Sequence, residues 1–192
     1  LSTALILAAV SAHADPASTP CQALANLTLP STRITLAETV AAGTFTLPAS
    51  PQPPIGPPPN FKDLPAFCRV VAEAAPTPDS DIKIEVWMPA SGWNRRYRGQ
   101  GNGGFAGVID YDGMAVQVKR GYATAGTDTG HSASGIDAAW ALGHPEKVAD
   151  FGYRGIHEMT VKAKAIIAAF YGGGPDRSYF GSCSDGGREA LM

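Results

Sequence analysis

The stretch Tyr179-Phe180-Gly181-Ser182-Cys183-Ser184-Asp185-Gly186-Gly187-Arg188-Glu189 decides how this chain is read. Residues 178–181 have the make-up of a short strand, small residues after them make a tight turn, and the turn opens a helix. Strand, tight turn and helix are the setting of a nucleophile elbow, in which a serine is held on a strained turn at the top of a sheet. The backbone of such a turn runs close to its neighbours, so the positions two before and two after the nucleophile must be small. With Ser184 at the centre they are Ser182 and Gly186; with Cys183 at the centre the second is Asp185, which is too bulky. Ser184 is therefore the nucleophile candidate, with Ser182 standing where the motif usually has glycine. A plain glycine-rich turn between strand and helix reads the same way on this motif alone.

A second element supports the elbow. Gly101-Asn102-Gly103-Gly104-Phe105-Ala106-Gly107 lies about 80 residues upstream, behind the short strand at residues 97–99. Acyl transfer needs N–H donors aimed at the oxyanion that forms on the substrate carbonyl. With a serine elbow, one donor is the amide after the nucleophile and another comes from an earlier glycine-rich loop that follows a strand. Here these would be the amides of Asp185 and of Gly103 or Gly104. A phosphate cradle is the alternative for such a loop. Its glycines match neither dinucleotide nor P-loop spacing, and no lysine follows.

The rest of the chain fits a sheet that carries these two loops. Residues 32–47 alternate loosely and suggest one or two short strands. Residues 48–59 hold seven prolines and must be an extended surface connection, since proline cannot join a sheet interior. Residues 67–73 and 81–88 read as an antiparallel pair near a sheet edge, joined by a turn at residues 75–79. In the second strand Ile82, Ile84, Val86 and Met88 alternate with Lys83, Glu85 and Trp87, which predicts one buried and one wetter face. Residues 111–120 suit a helix closed by Gly121, and residues 122–127 a strand. Residues 154–170 form the clearest helix, with Ile156, Met159, Ala163, Ile166, Ile167 and Phe170 on one face. Alternating strands and helices point to an α/β fold, a mainly parallel central sheet flanked by helices.

Composition removes several classes of function. The 192 residues carry 15 basic and 17 acidic side chains, a formal charge of −2 without a basic run, which argues against nucleic acid as a partner. No apolar stretch reaches the roughly 18 residues of a membrane span. Glycine (22) and proline (16) make about a fifth of the chain, short of a low-complexity composition. Three histidines beyond His13 stand at His131, His144 and His157. Asp128 and His131 invite a catalytic or metal reading. In an elbow enzyme, however, the histidine follows the serine in chain order, which favours structural roles for all three. No cluster with the three or four ligands of a metal site stands out, so no metal is expected here. Cys21 and Cys68 flank the proline-rich segment and are predicted to pair, closing a loop of about 48 residues. Cys183 is left over.

Both ends carry a reading of their own. Residues 1–10 are apolar and are followed by Ala12-His13-Ala14, the back half of a secretory signal peptide. On that reading residues 1–14 are removed and the mature chain starts near Asp15, in a compartment that permits disulfides. At the other end Ala190-Leu191-Met192 stops inside a helix without a cap, as expected if residues 15–192 are the N-terminal part of a larger catalytic domain.

With these motifs in hand, the chain resembles the tannase and feruloyl esterase family of α/β hydrolases. The resemblance rests on the loop at 101–107, on Gly121-Tyr122-Ala123-Thr124-Ala125-Gly126-Thr127-Asp128-Thr129-Gly130-His131, on Asp150-Phe151-Gly152-Tyr153-Arg154-Gly155-Ile156-His157-Glu158, and on residues 179–188, in that order. It implies a serine esterase, secreted or periplasmic, acting on small aromatic esters or on esters linked to plant polysaccharide through an acyl-enzyme on Ser184. It also implies that Cys183 pairs with a cysteine beyond the chain end, next to the catalytic histidine. The catalytic Asp and His, and a lid domain that usually holds structural calcium, would follow Met192, so that residues 1–192 alone are inactive and hold no cofactor. The competing reading is a non-catalytic scaffold of the same fold that binds without hydrolysis.

Overall fold

Apolar residues at every second position build β3 (Ile82–Pro89), the strand around which the sheet is organised. A computed structural model describes residues 19–49 and 60–192. The signal-type segment at residues 1–14 and the prolines from Pro51 to Pro59 lie outside the described residues. Before β3 come β1 (Thr32–Val40) and β2 (Phe67–Ala74), and after it β4 (Arg96–Gln100), α1 (Tyr111–Lys119) and β5 (Ala123–Thr127). Then follow α2 (Pro145–Ala149), α3 (Gly155–Tyr171), β6 (Arg177–Gly181) and α4 (Gly186–Glu189). The six strands form one sheet in the order β1-β2-β3-β5-β4-β6.

The α/β architecture is the expected one, but the balance of strand directions is not. The pairs β1–β2, β2–β3 and β3–β5 are antiparallel; only β5–β4 and β4–β6 are parallel. The described sheet is therefore mixed: a short turn joins β2 to β3, a long connection outside the sheet joins β1 to β2, and helices lie only between β4 and β5 and between β5 and β6. Residues 32–47 give a single strand, β1. The chain after it leaves the sheet and buries Phe45 against Trp87, ring centroids 4.6 Å apart.

Both faces of the sheet are covered. Ile82, Ile84, Val86 and Met88 pack with Tyr97, Ala123, Ala125 and the apolar face of α3. The other face of β3, expected to be wetter, buries Glu85 and Trp87 completely. There Phe45, Phe61, Phe67, Met114 and Val118 close over Trp87, so α1 and an aromatic cluster replace the solvent. The helix expected at residues 154–170 begins earlier. A wide π-type turn, Asp150–Arg154, joins α2 to α3 without a break. The predicted Cys21–Cys68 bridge is formed, spanning 47 residues of sequence.

Strand order also locates the site. From β4 the chain passes through α1 to β5 on one side, then returns through α3 to β6 on the other. The C-terminal end of β4 is thus a point where connections diverge, the place where open α/β sheets bind ligands. The loops that leave β4 and β6 there are the two singled out above.

Candidate active site

Ser184 occupies the apex of the turn between β6 and α4, exposed, with φ of +57°. A side chain with a Cβ rarely adopts this left-handed conformation, which persists only when its surroundings impose it. Here the residues on either side of Ser184 are held by hydrogen bonds. The Gly186 amide donates to the Asn102 carbonyl at 3.0 Å and to the Cys183 carbonyl at 3.0 Å. The Ser182 hydroxyl donates to the same Asn102 carbonyl at 3.2 Å. A Cβ at position 186 would lie 2.1 Å from the Ser182 Cβ, so a serine fits at 182 because position 186 is glycine.

The Asp185 carboxylate is fully engaged. Arg188 grips it with a fork, Nε to Oδ1 at 2.9 Å and Nη2 to Oδ2 at 2.7 Å. The same guanidinium donates to the Phe151 carbonyl at 3.2 Å and to the Gly152 carbonyl, and lies 4.6 Å over the Phe151 ring. Both carbonyls belong to the π-type turn, so that turn supports the elbow from behind. The Asp185 amide donates to no acceptor among the described residues.

Asn102 ties the glycine loop to the rest of the site. Its amide donates to Glu189 Oε2 at 2.8 Å, its side chain donates to the Thr127 carbonyl at 3.2 Å, and its carbonyl receives Gly186 and Ser182. The loop after β4, the end of β5 and the start of α4 are thus joined through one residue. Of the two candidate donors, Gly103 faces open space, with no atom within 4 Å of where a Cβ would stand. Gly104 has φ of +60° and is backed by the Gly135 carbonyl, 2.4 Å from a Cβ there. Neither amide donates to an acceptor among the described residues.

The histidines are placed elsewhere. His131 Nε2 meets the Phe105 carbonyl at 2.8 Å, and its ring stacks on Trp140 with centroids 3.9 Å apart. Burial holds its pKa below the usual histidine value, which keeps the ring neutral and suits a structural role in fixing the loop after Gly104. His144 pairs with Asp79 at 3.0 Å, and His157 is exposed on α3. Asp128 accepts from the Lys83 and Gly130 amides, both at 2.9 Å. Cys183 is free and exposed. Among the described residues no group of three or more His, Cys, Asp or Glu side chains is placed to hold a metal ion. No described helix is long and apolar enough to cross a membrane.

The spacing of small residues picks out Ser184, Asp185 and the glycine loop. It does not pick out Asn102, Arg188 or Glu189, whose roles arise from contacts between distant segments. The sequence holds one signal for Glu189, an acidic residue on the first turn of a helix that must pack against glycine.

Residues 68–192 match the family model described as tannase and feruloyl esterase. An uncharacterized esterase of Xanthomonas campestris pv. campestris is 44% identical over 176 residues, covering 92% of this chain and 29% of the relative. A protein of Neosartorya fischeri named probable feruloyl esterase B-2 is 38% identical over 125 residues, covering 65% of this chain and 23% of its own length. The crystal structure of feruloyl esterase B from Aspergillus oryzae superposes with a TM-score of 0.77 at 30% identity, over 88% of this chain and 32% of that one. Tannin acyl hydrolase from Aspergillus niger shares the fold, with a TM-score of 0.61 at 21% identity. The chain spans less than a third of the length of these relatives.

Proposed function

The chain belongs to the tannase and feruloyl esterase family, and from that premise we propose that the protein is a serine carboxylic-ester hydrolase with Ser184 as its nucleophile. The observation that carries the reading is Ser184 at φ +57°, on a turn bonded through the Asn102 carbonyl to the glycine loop. In the proposed reaction the Ser184 hydroxyl adds to the ester carbonyl carbon and gives its proton to a histidine. The oxyanion takes hydrogen bonds from the amide of Asp185 and from that of Gly103 or Gly104. Gly103, the more exposed of the two, suits this better. The tetrahedral adduct then expels the alcohol, which receives the proton from the histidine, and water hydrolyses the acyl-serine to release the acid.

The histidine and its orienting acid are proposed to lie in chain outside residues 1–192, since His131, His144 and His157 have other surroundings. Cys183, one residue before the nucleophile, is proposed to form a disulfide with a cysteine beside that histidine. A structural calcium ion is proposed for a lid domain in the same outlying chain, as the family resemblance implies. Substrates are proposed to be esters of hydroxycinnamic or gallic-type aromatic acids, small or linked to plant polysaccharide. The relatives named as feruloyl esterases support this. Export to the periplasm or medium, with residues 1–14 removed, is supported by the buried Cys21–Cys68 bridge, a feature of oxidising compartments.

The test is Ser184→Ala in the full-length protein, assayed on methyl ferulate. Loss of kcat by at least about 1,000-fold is expected. Turnover close to wild type would refute the assignment.

A further inference from the structure

The carboxyl of Glu189 is almost wholly buried, at 1% exposure, yet it makes one hydrogen bond. Oε2 accepts from the Asn102 amide at 2.8 Å, while Oε1 has no partner among the described residues. Burial pushes its pKa up, and the Asn102 amide opposes that shift. The side chain presses on the loop itself, since a Cβ at Gly101 would lie 2.0 Å from Oε2. Burying a polar group with so few partners costs stability, and an apolar side chain of similar size would fill the space more cheaply. What the carboxyl adds is an acceptor for one particular backbone N–H.

That N–H opens the segment that carries the candidate oxyanion donors. The Gly101–Asn102 peptide is held by Glu189 through its N–H, and the Asn102–Gly103 peptide is held through its carbonyl by Gly186 and Ser182. A peptide unit is planar, so anchoring one of its ends sets the other. Two successive planes are therefore fixed from α4, and the second contains the Gly103 N–H. We propose that Glu189 is a positioning residue for the esterase reaction, holding the Asn102 amide so that the Gly103 N–H keeps its place at the oxyanion. This rests on the ester-hydrolase reading above and assigns to it a residue that touches neither substrate nor nucleophile.

The test uses the full-length protein, with kcat and KM for methyl ferulate measured per serine titrated by a fluorophosphonate. Glu189→Ala is expected to lower kcat about 10- to 100-fold with KM within about threefold, since an oxyanion donor acts in the transition state. Glu189→Gln is expected to restore kcat to within about threefold, because its amide oxygen accepts from Asn102 in the same place. Glu189→Asp, one methylene short of the amide, is expected to lose as much as Glu189→Ala and serves if the alanine variant does not fold. A kcat per titrated serine within about threefold of wild type in Glu189→Ala or Glu189→Asp overturns the proposal, as does a Glu189→Gln variant no better than alanine. If the wild type neither labels at Ser184 nor hydrolyses the ester, the esterase reading itself fails. If it does both while these variants keep their kcat, only the positioning role does.

Discussion

Asp128 sits one residue past β5, where its carboxylate pins that strand's end to β3 through the Lys83 amide. Burial pushes its pKa up to about 7; the amides of Gly130 and Lys83 and the Lys83 charge oppose the shift, and Asp81 adds to it. The consequence for stability has a definite sign. In the unfolded chain the group ionises near 3.8, while in the native protein it keeps its proton to about 7. Between those values the native state binds more protons than the unfolded one, so stability falls as pH rises through this window. The loss is complete above pH 7 and is on the order of a few kcal/mol at most. Asp128→Asn keeps an oxygen for both amides and removes the charge. It is expected to match wild type at pH 4 and to melt at a higher temperature at pH 8, by thermal unfolding at both values. Equal melting temperatures at pH 8 would contradict this. Single residues differ in how far the sequence exposes them. Ser184 shows itself because an elbow demands small residues at fixed spacing, whereas the work of Asp128, Asn102 and Glu189 depends on partners dozens of residues away.

At the scale of elements, the period-two alternation of β3 reveals the strand but not what covers its second face. That face holds Glu85, 2% exposed, inside the aromatic cluster. Its carboxylate takes a fork from Arg69, Nη2 to Oε1 at 2.6 Å and Nε to Oε2 at 3.2 Å, with Trp87 Nε1 at 2.8 Å and the Tyr111 hydroxyl at 2.9 Å. The network links β2, β3 and α1. Removing one partner leaves a buried charge without compensation, which costs about 3–5 kcal/mol, whereas replacing both with apolar groups is often close to neutral. Glu85→Ala is therefore expected to lower the unfolding free energy in urea by that amount, and the double variant Arg69→Met, Glu85→Leu to recover most of it. A single-variant loss under about 1 kcal/mol would show that Arg69 is satisfied by Glu38 alone. Two other features escaped the sequence for physical reasons. Strand direction depends on where each connection lands in the sheet, so helices before β5 and β6 led to an overestimate of parallel pairing. The π-type turn at Asp150–Arg154 carries a glycine and breaks the helical period, which hid the start of the helix at Pro145.

At the scale of the molecule, the segment before β1 is fastened to the body of the fold at both α3 and β2. The turn at Cys21–Asn26 buries Leu24 in the core shared with α3, and Thr19 bonds back to the Phe170 carbonyl at 2.8 Å and the Ala169 carbonyl at 2.9 Å. The disulfide fastens this turn to β2, with both cysteines buried and their Cα atoms 5.5 Å apart. A bridge over 47 residues of separation restricts the unfolded chain much more than it adds contacts to the native one. The chain-entropy relation gives about 4 kcal/mol for a loop of that length; the prolines inside it stiffen the unfolded chain already and reduce the figure to about 3. Replacing both cysteines by serine is thus expected to lower the unfolding free energy by about 3–4 kcal/mol. The urea m-value should rise at the same time, because the unlinked chain exposes more surface on unfolding. Urea titration of both proteins measures the two quantities together. A loss of stability with an unchanged m-value would place the effect in native packing of the Cys21 turn instead of in the unfolded chain.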